Sequence, residues 1–224
     1  MRPTRLVDPA AARAVAAAYA EATTRRDPLT RAAYDRLVAE SDGLLWRITD
    51  PDRPGAVRVR FTDCPDPYRS AGELIASVTD DGLLELATVA ADRERRHPLM
   101  DSTRGGAYDR FRAVHDILGH AGLDLGFDRH GEFAVWLHQE GFHSPLARRA
   151  LATELHGQHS VYWTTGRMAE PKAVLLAPAL LRRSRRGAAA HEPGAGGGQG
   201  TCRSEQSDRT LLGAVGAGVE PRSV

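Results

Sequence analysis

FRAVHDILGH, residues Phe111 to His120, is the stretch on which the reading of this chain turns. Phe111, Val114 and Leu118, with Ala121 just beyond, recur at three- and four-residue steps, the period of a helix with one face in a core. His115 stands at the edge of that apolar stripe, Asp116 beside it, and His120 across the Leu118-Gly119 pair. The spacing is H-x4-H and not the H-E-x-x-H of zinc peptidases. On a regular α-helix two residues five apart diverge by ~140°, so the imidazoles share one ion only if the helix deforms locally. Gly119 is the position for such a break. The competing reading is a core histidine followed by a histidine that suits a helix C-terminus through its charge.

Around this stretch the 224 residues suffice for one ordinary domain with appendages. Thirty Lys and Arg against 29 Asp and Glu leave no global field that would draw nucleic acid or an anionic membrane. The two cysteines, Cys64 and Cys202, are far apart, which speaks against a disulfide framework and against a cysteine-based zinc site. With no apolar leader region and no run of eighteen apolar residues, the expectation is a cytoplasmic protein without a membrane partner.

Asp8-Pro9 and Asp27-Pro28 each read as a helix cap with proline in the first turn. The two helices they open, the second ending near Asp42-Gly43, are expected to pack as an antiparallel pair. Val57, Val59 and Phe61 alternate with arginines, and LLELATV follows the Asp80-Asp81-Gly82 turn, so a small two-stranded sheet is expected from the 57–63 and 83–89 regions. Ser70 caps a short helix between them. RERRHPLM, residues 93–100, is a charged loop whose Arg93, Arg95, Arg96 and His97 suit a phosphate or a carboxylate, although such a run is more often a solvated face. Further helices carry Glu132, Trp136 and Glu140, and then, from Ser144-Pro145, Glu154 to about His159. The fold class expected is mainly α (α+β): one helical metal-site domain over 1–181 and a disordered tail over 182–224, where Gly, Arg and Ser cluster.

VHDILGH resembles the iron-binding segment of the pterin-dependent aromatic amino acid hydroxylases, in which a His-Glu-Leu-Leu-Gly-His run supplies two histidine ligands and a later glutamate the third. FAVWLHQEGF, residues 133–142, is similar to that family's intervening helix, and the likeness covers about residues 111–163. It implies His115 and His120 as ligands, with Glu154 in LATELHGQ as the third. Asp116 stands where the family has glutamate, the gap to the third ligand is shorter and the chain is smaller, so no pterin pocket carries over. A second resemblance, to a phage and bacterial group with FRAVHD-x-x-GH, GE, SPLAR and GQ-x-S segments, spans more of the chain.

Two histidines and a carboxylate with open positions suit non-heme Fe(II), and the same count serves catalytic zinc. Asp116 is then a group that orients a ligand or accepts a proton, and Glu132 is a base beside the metal or the rival carboxylate ligand. The functions that follow are an iron monooxygenase-like enzyme acting on a small-molecule substrate, a zinc-type hydrolase of a nucleotide or modified base, or a non-catalytic helical binding module. Oligomeric state is not legible at this level.

Overall fold

Proline at the first turn and an aspartate cap begin the first two helices as expected. The computed structural model describes residues 6–90 and 92–189. In α1 (Pro9–Glu21) the Asp8 carboxylate accepts the Ala10 N–H at 2.8 Å, and in α2 (Pro28–Thr49) Asp27 accepts that of Thr30 at 3.0 Å. Rather than pairing with each other, α1 packs on the C-terminal helices and α2 on the central ones. The buried stripe of α1 is mostly alanine, with Val15 and Tyr19, and admits close neighbours. α2 also continues past Gly43 to Thr49, because Leu44 and Leu45 belong to a second core; Pro51 follows its end.

β1 (Arg58–Thr62) and β2 (Leu83–Ala87) form a parallel pair with Val59 opposite Leu84 and Phe61 opposite Leu86. Between them runs α3 (Ala71–Asp80), capped by Ser70 as its sequence predicts. A parallel pair needs such a crossover, since a tight turn can only bring strands back antiparallel. Side chains engage backbone groups of both strands: Arg104 binds the Phe61 carbonyl, Arg112 that of Ala87, and the Tyr68 hydroxyl accepts the Glu85 N–H.

The central helix α4 (Ala107–Val114) lies between two cores. Tyr108 and Phe111 face the larger one, built on Tyr34, Leu37, Trp136 and Leu151, while Ala113 and Val114 face the smaller one over the sheet. Its N-terminus is fixed by buried Asp109, which accepts from the Thr88 hydroxyl at 2.6 Å and from the Gly105 and Val89 N–H groups. The chain then continues as a π-helix, His115–Ala121, before α5 (Arg129–Gln139). α6 (Ala147–Ala152) likewise passes through a π segment, Thr153–Gly157, into α7 (Gln158–Thr165), ended by Gly166 at φ 74°.

From Gly166 the chain returns over α1 as an irregular segment to α8 (Pro178–Ala189). Lys172 fixes this return: its ammonium donates to the Tyr19, Ala20 and Ala22 carbonyls at 2.9–3.1 Å, closing the C-terminus of α1. α8 crosses the expected boundary at residue 182, with Leu181 and Ser184 buried. The rest of the tail, 190–224, lies outside the described residues. Among the described residues no helix is long and apolar enough to cross a membrane.

Candidate metal centre

The π-helix resolves the spacing problem. Its backbone bonds span five residues instead of four, so positions five apart come round to one face. His115 and His120 accordingly meet, their Nε2 atoms 3.2 Å apart and their rings edge to face. Gly119 contributes by close approach and not by unusual dihedrals: a Cβ there would lie 2.3 Å from Val135 Cγ1 on α5. That contact brings α5 onto the π turn and sets Glu132 opposite both imidazoles. Its Oε2 is 3.4 Å from His115 Nε2 and its Oε1 is 3.5 Å from His120 Nε2.

The far side of each ring is committed. His120 Nδ1–H donates to the Leu125 carbonyl at 3.0 Å, and His115 Nδ1 pairs with Gln139 Oε1 at 3.1 Å. A carbonyl can only accept, so neutral His120 carries its proton on Nδ1 and turns a bare Nε2 inward; Gln139, by its amide oxygen, asks the same of His115. Two lone pairs and a carboxylate thus converge on one point. Donors ~2.1 Å from a single ion and 90–110° apart stand about 3.0–3.4 Å from each other, within ~0.1 Å of the three separations observed. His115, His120 and Glu132, all buried, form the group of donors within 4.8 Å of one another among the described residues. Buried Glu132 Oε2 also lacks a hydrogen-bond donor, the deficit a cation would fill. The residues present therefore fit a metal ion, and nothing in the geometry selects which.

Electrostatics agree with a site made for positive charge. Burial opposes ionisation of Glu132, yet His159, His120 and His115 outweigh it and hold the carboxyl well below its usual range. Burial likewise opposes a charge on His120, but Glu132 and Asp116 overcome it and lift the imidazole to about 9. Asp116, on the cavity wall, is raised by burial. His159 adds a third ring: its Nδ1 is bonded to the Leu155 carbonyl at 2.9 Å and lies 3.3 Å from Glu132 Oε2.

Glu154, which the hydroxylase resemblance implied as the third ligand, lines the same cavity from the second π segment but is engaged by other partners. Its Oε1 accepts from the Tyr34 hydroxyl at 2.7 Å and from His97 Nε2 at 3.2 Å, and its Oε2 from Gln158 at 2.6 Å. His97 Nδ1 accepts the Leu99 and Met100 N–H groups, which places its proton on Nε2, toward Glu154. The carboxylate beside the imidazoles is instead Glu132, which sequence reasoning had as base or rival ligand. His156 points away into the core, stacked on Trp136 at 4.3 Å and bonded to Ser184. The sequence reading did not single out Gln139, which is seven residues from Glu132 on one helix face, a signal that was present; His97, read there as part of a basic loop suited to a phosphate or a carboxylate, meets the carboxylate of Glu154.

His115, Asp116, His120, Glu132, Glu154 and His159 open onto a cavity of about 220 Å³ with Leu86, Phe111 and Phe127 among its apolar walls. A separate hollow between Asp8 and the α8 arginines holds none of them. Compared with known proteins, the chain matches no family, no curated protein and no solved structure. A buried two-histidine, one-carboxylate cluster in a mainly helical fold is what the geometry by itself defines.

Proposed function

We propose that this chain is a metal-dependent enzyme whose ion is held by His115, His120 and Glu132, and that it acts as a non-heme iron oxygenase on a small molecule. The observation that carries the reading is the convergence of two Nε2 atoms and one carboxylate, each imidazole locked from behind. Bound there, Fe(II) would supply oxygen activation, with positions left open for oxygen and substrate. The apolar walls keep the substrate dry and beside the ligands. Asp116, its carboxyl raised by burial, is placed to exchange a proton at the cavity wall. Glu154 stays fixed by Tyr34, His97 and Gln158 as a preoriented acceptor. A zinc hydrolase is the second reading, because two histidines and one carboxylate with an open position also serve catalytic zinc.

The test is metal analysis of full-length protein purified anaerobically without a histidine tag. About one ion per chain is expected, lost in His115→Ala and Glu132→Ala and retained in Glu154→Gln. Loss in Glu154→Gln with retention in Glu132→Ala would restore the ligand set implied by the hydroxylase resemblance. Iron with substrate-dependent oxygen uptake supports the oxygenase; zinc without it supports the hydrolase. A wild-type chain that takes up no metal overturns both.

A further inference from the structure

The cavity wall carries positive charge that the metal centre does not use. Arg112, three residues before His115, directs its Nη1–H to the Ala87 carbonyl at 2.7 Å, and this one bond fixes the guanidinium while its other donors make no hydrogen bond among the described residues. The neighbouring carboxylate of Asp109 is 3.6 Å away and already accepts from Thr88, Val89 and Gly105. Arg95, from the 3-10 turn Arg93–Arg95, lines the same cavity, and its guanidinium makes no hydrogen bond or ion pair with any described residue. Of the RERR run, Arg93 and Arg96 are exposed, and Arg96 donates to the Ala90 carbonyl; Arg95 is the member turned to the cavity.

We propose that Arg95 and Arg112 form an oxyanion-binding end of the cavity, and that its ligand is a small organic anion, a carboxylate or a phosphate monoester, whose apolar body extends toward His115, His120 and Glu132. The proposal rests on the metal-enzyme reading only for what lies at the far end of the ligand. Guanidinium groups have five donors in a planar fork suited to such oxyanions, and they remain charged even when partly desolvated. Here burial and then the charge of Arg112 disfavour the Arg95 cation, and Tyr108, Asp92 and Asp66 each relieve it by less than Arg112 burdens it. An anion between the two removes that repulsion.

The rest of the cavity restricts the ligand. Glu85, Asp116, Glu132 and Glu154 also line the cavity, so an anionic group finds its favourable contacts at the two arginines and is repelled elsewhere along the wall. The walls between are apolar and aromatic, with Leu86, Phe111 and Phe127. A volume of about 220 Å³ is below the ~300–1,000 Å³ of sites for drug-sized ligands, which limits the ligand to a small body with one anionic head.

Calorimetric titration of the full chain with benzoate, phenyl phosphate and benzyl alcohol tests this, in metal-free and zinc-loaded protein. At least one of the two anions should bind, and the tighter one assigns the class, while benzyl alcohol should bind at least about tenfold more weakly. Arg95→Ala should weaken anion binding about ten- to hundredfold, the usual range for losing a charge-assisted hydrogen bond, with metal content unchanged. Arg112→Gln should do the same, but Arg112 also braces β2, so Arg95→Ala carries the decision. Equal binding of benzyl alcohol and the anions, absence of binding by both anions, or an Arg95→Ala chain that titrates like wild type overturns the proposal. Arginine-dependent anion binding in a chain that takes no metal would leave this proposal standing and sink the metal reading; metal uptake without it does the reverse.

Discussion

His120 holds the plainest chemical consequence at the scale of single residues. In the metal-free protein its imidazole is lifted to about 9, so near neutrality it carries a proton on the nitrogen that faces Glu132. A metal ion must displace that proton. Below about 9 the apparent metal affinity therefore falls as pH falls, by about tenfold per unit through this group, and rises as pH rises. Competition against a chromophoric chelator at pH 6, 7 and 8 should give that slope; a flat profile would mean that no proton leaves His120. Gln139 acts through His115 and should matter less than a ligand. Gln139→Ala should cost about 10–100-fold in metal affinity with the helix content preserved, as expected for a group that orients a metal-binding imidazole.

At the scale of elements, the π turn and α5 form one device. A methyl at Gly119 would meet Val135 Cγ1 at 2.3 Å, so Gly119→Ala should destabilise by about 1–3 kcal/mol, read from the denaturation midpoint, and should weaken metal binding as well. Val135→Ala in the same chain should recover part of both; a Gly119→Ala protein of wild-type stability would show that the helices separate freely. The need for a break near Gly119 could be read from the five-residue spacing, and so could the caps at Asp8, Asp27 and Ser70. The kind of break could not. A widened turn needs the partner helix to reward it, and that reward comes from Val135 and Glu132, residues whose approach is a tertiary event. The same limit explains why Glu154 stood out on its motif, whereas the hydrogen bonds that hold it come from Tyr34 and His97, distant in sequence.

At the scale of the molecule, the cluster of His115, His120 and Glu132 follows from two cores meeting along α4, with the C-terminal helices closing the larger one. Removing 190–224 deletes few apolar residues and should leave the melting temperature nearly unchanged. Removing α8 as well takes Leu181 from the larger core, Ser184 from His156, and Arg185 from its ion pair with Glu140. That truncation should lower the melting temperature by several degrees or more. Equal melting of the two truncations would show α8 to be an appendage.

Lys172 is the single lysine of the chain, and its ammonium is taken up by three carbonyls at the end of α1. A lysyl endopeptidase therefore has one bond to cut, Lys172–Ala173, and can reach it only when the return segment lifts off α1. Because Met168 and Pro171 of that segment also border the cavity, the cleavage rate becomes a clock for opening of the cavity wall, slowing in proportion as a bound ligand holds the segment down.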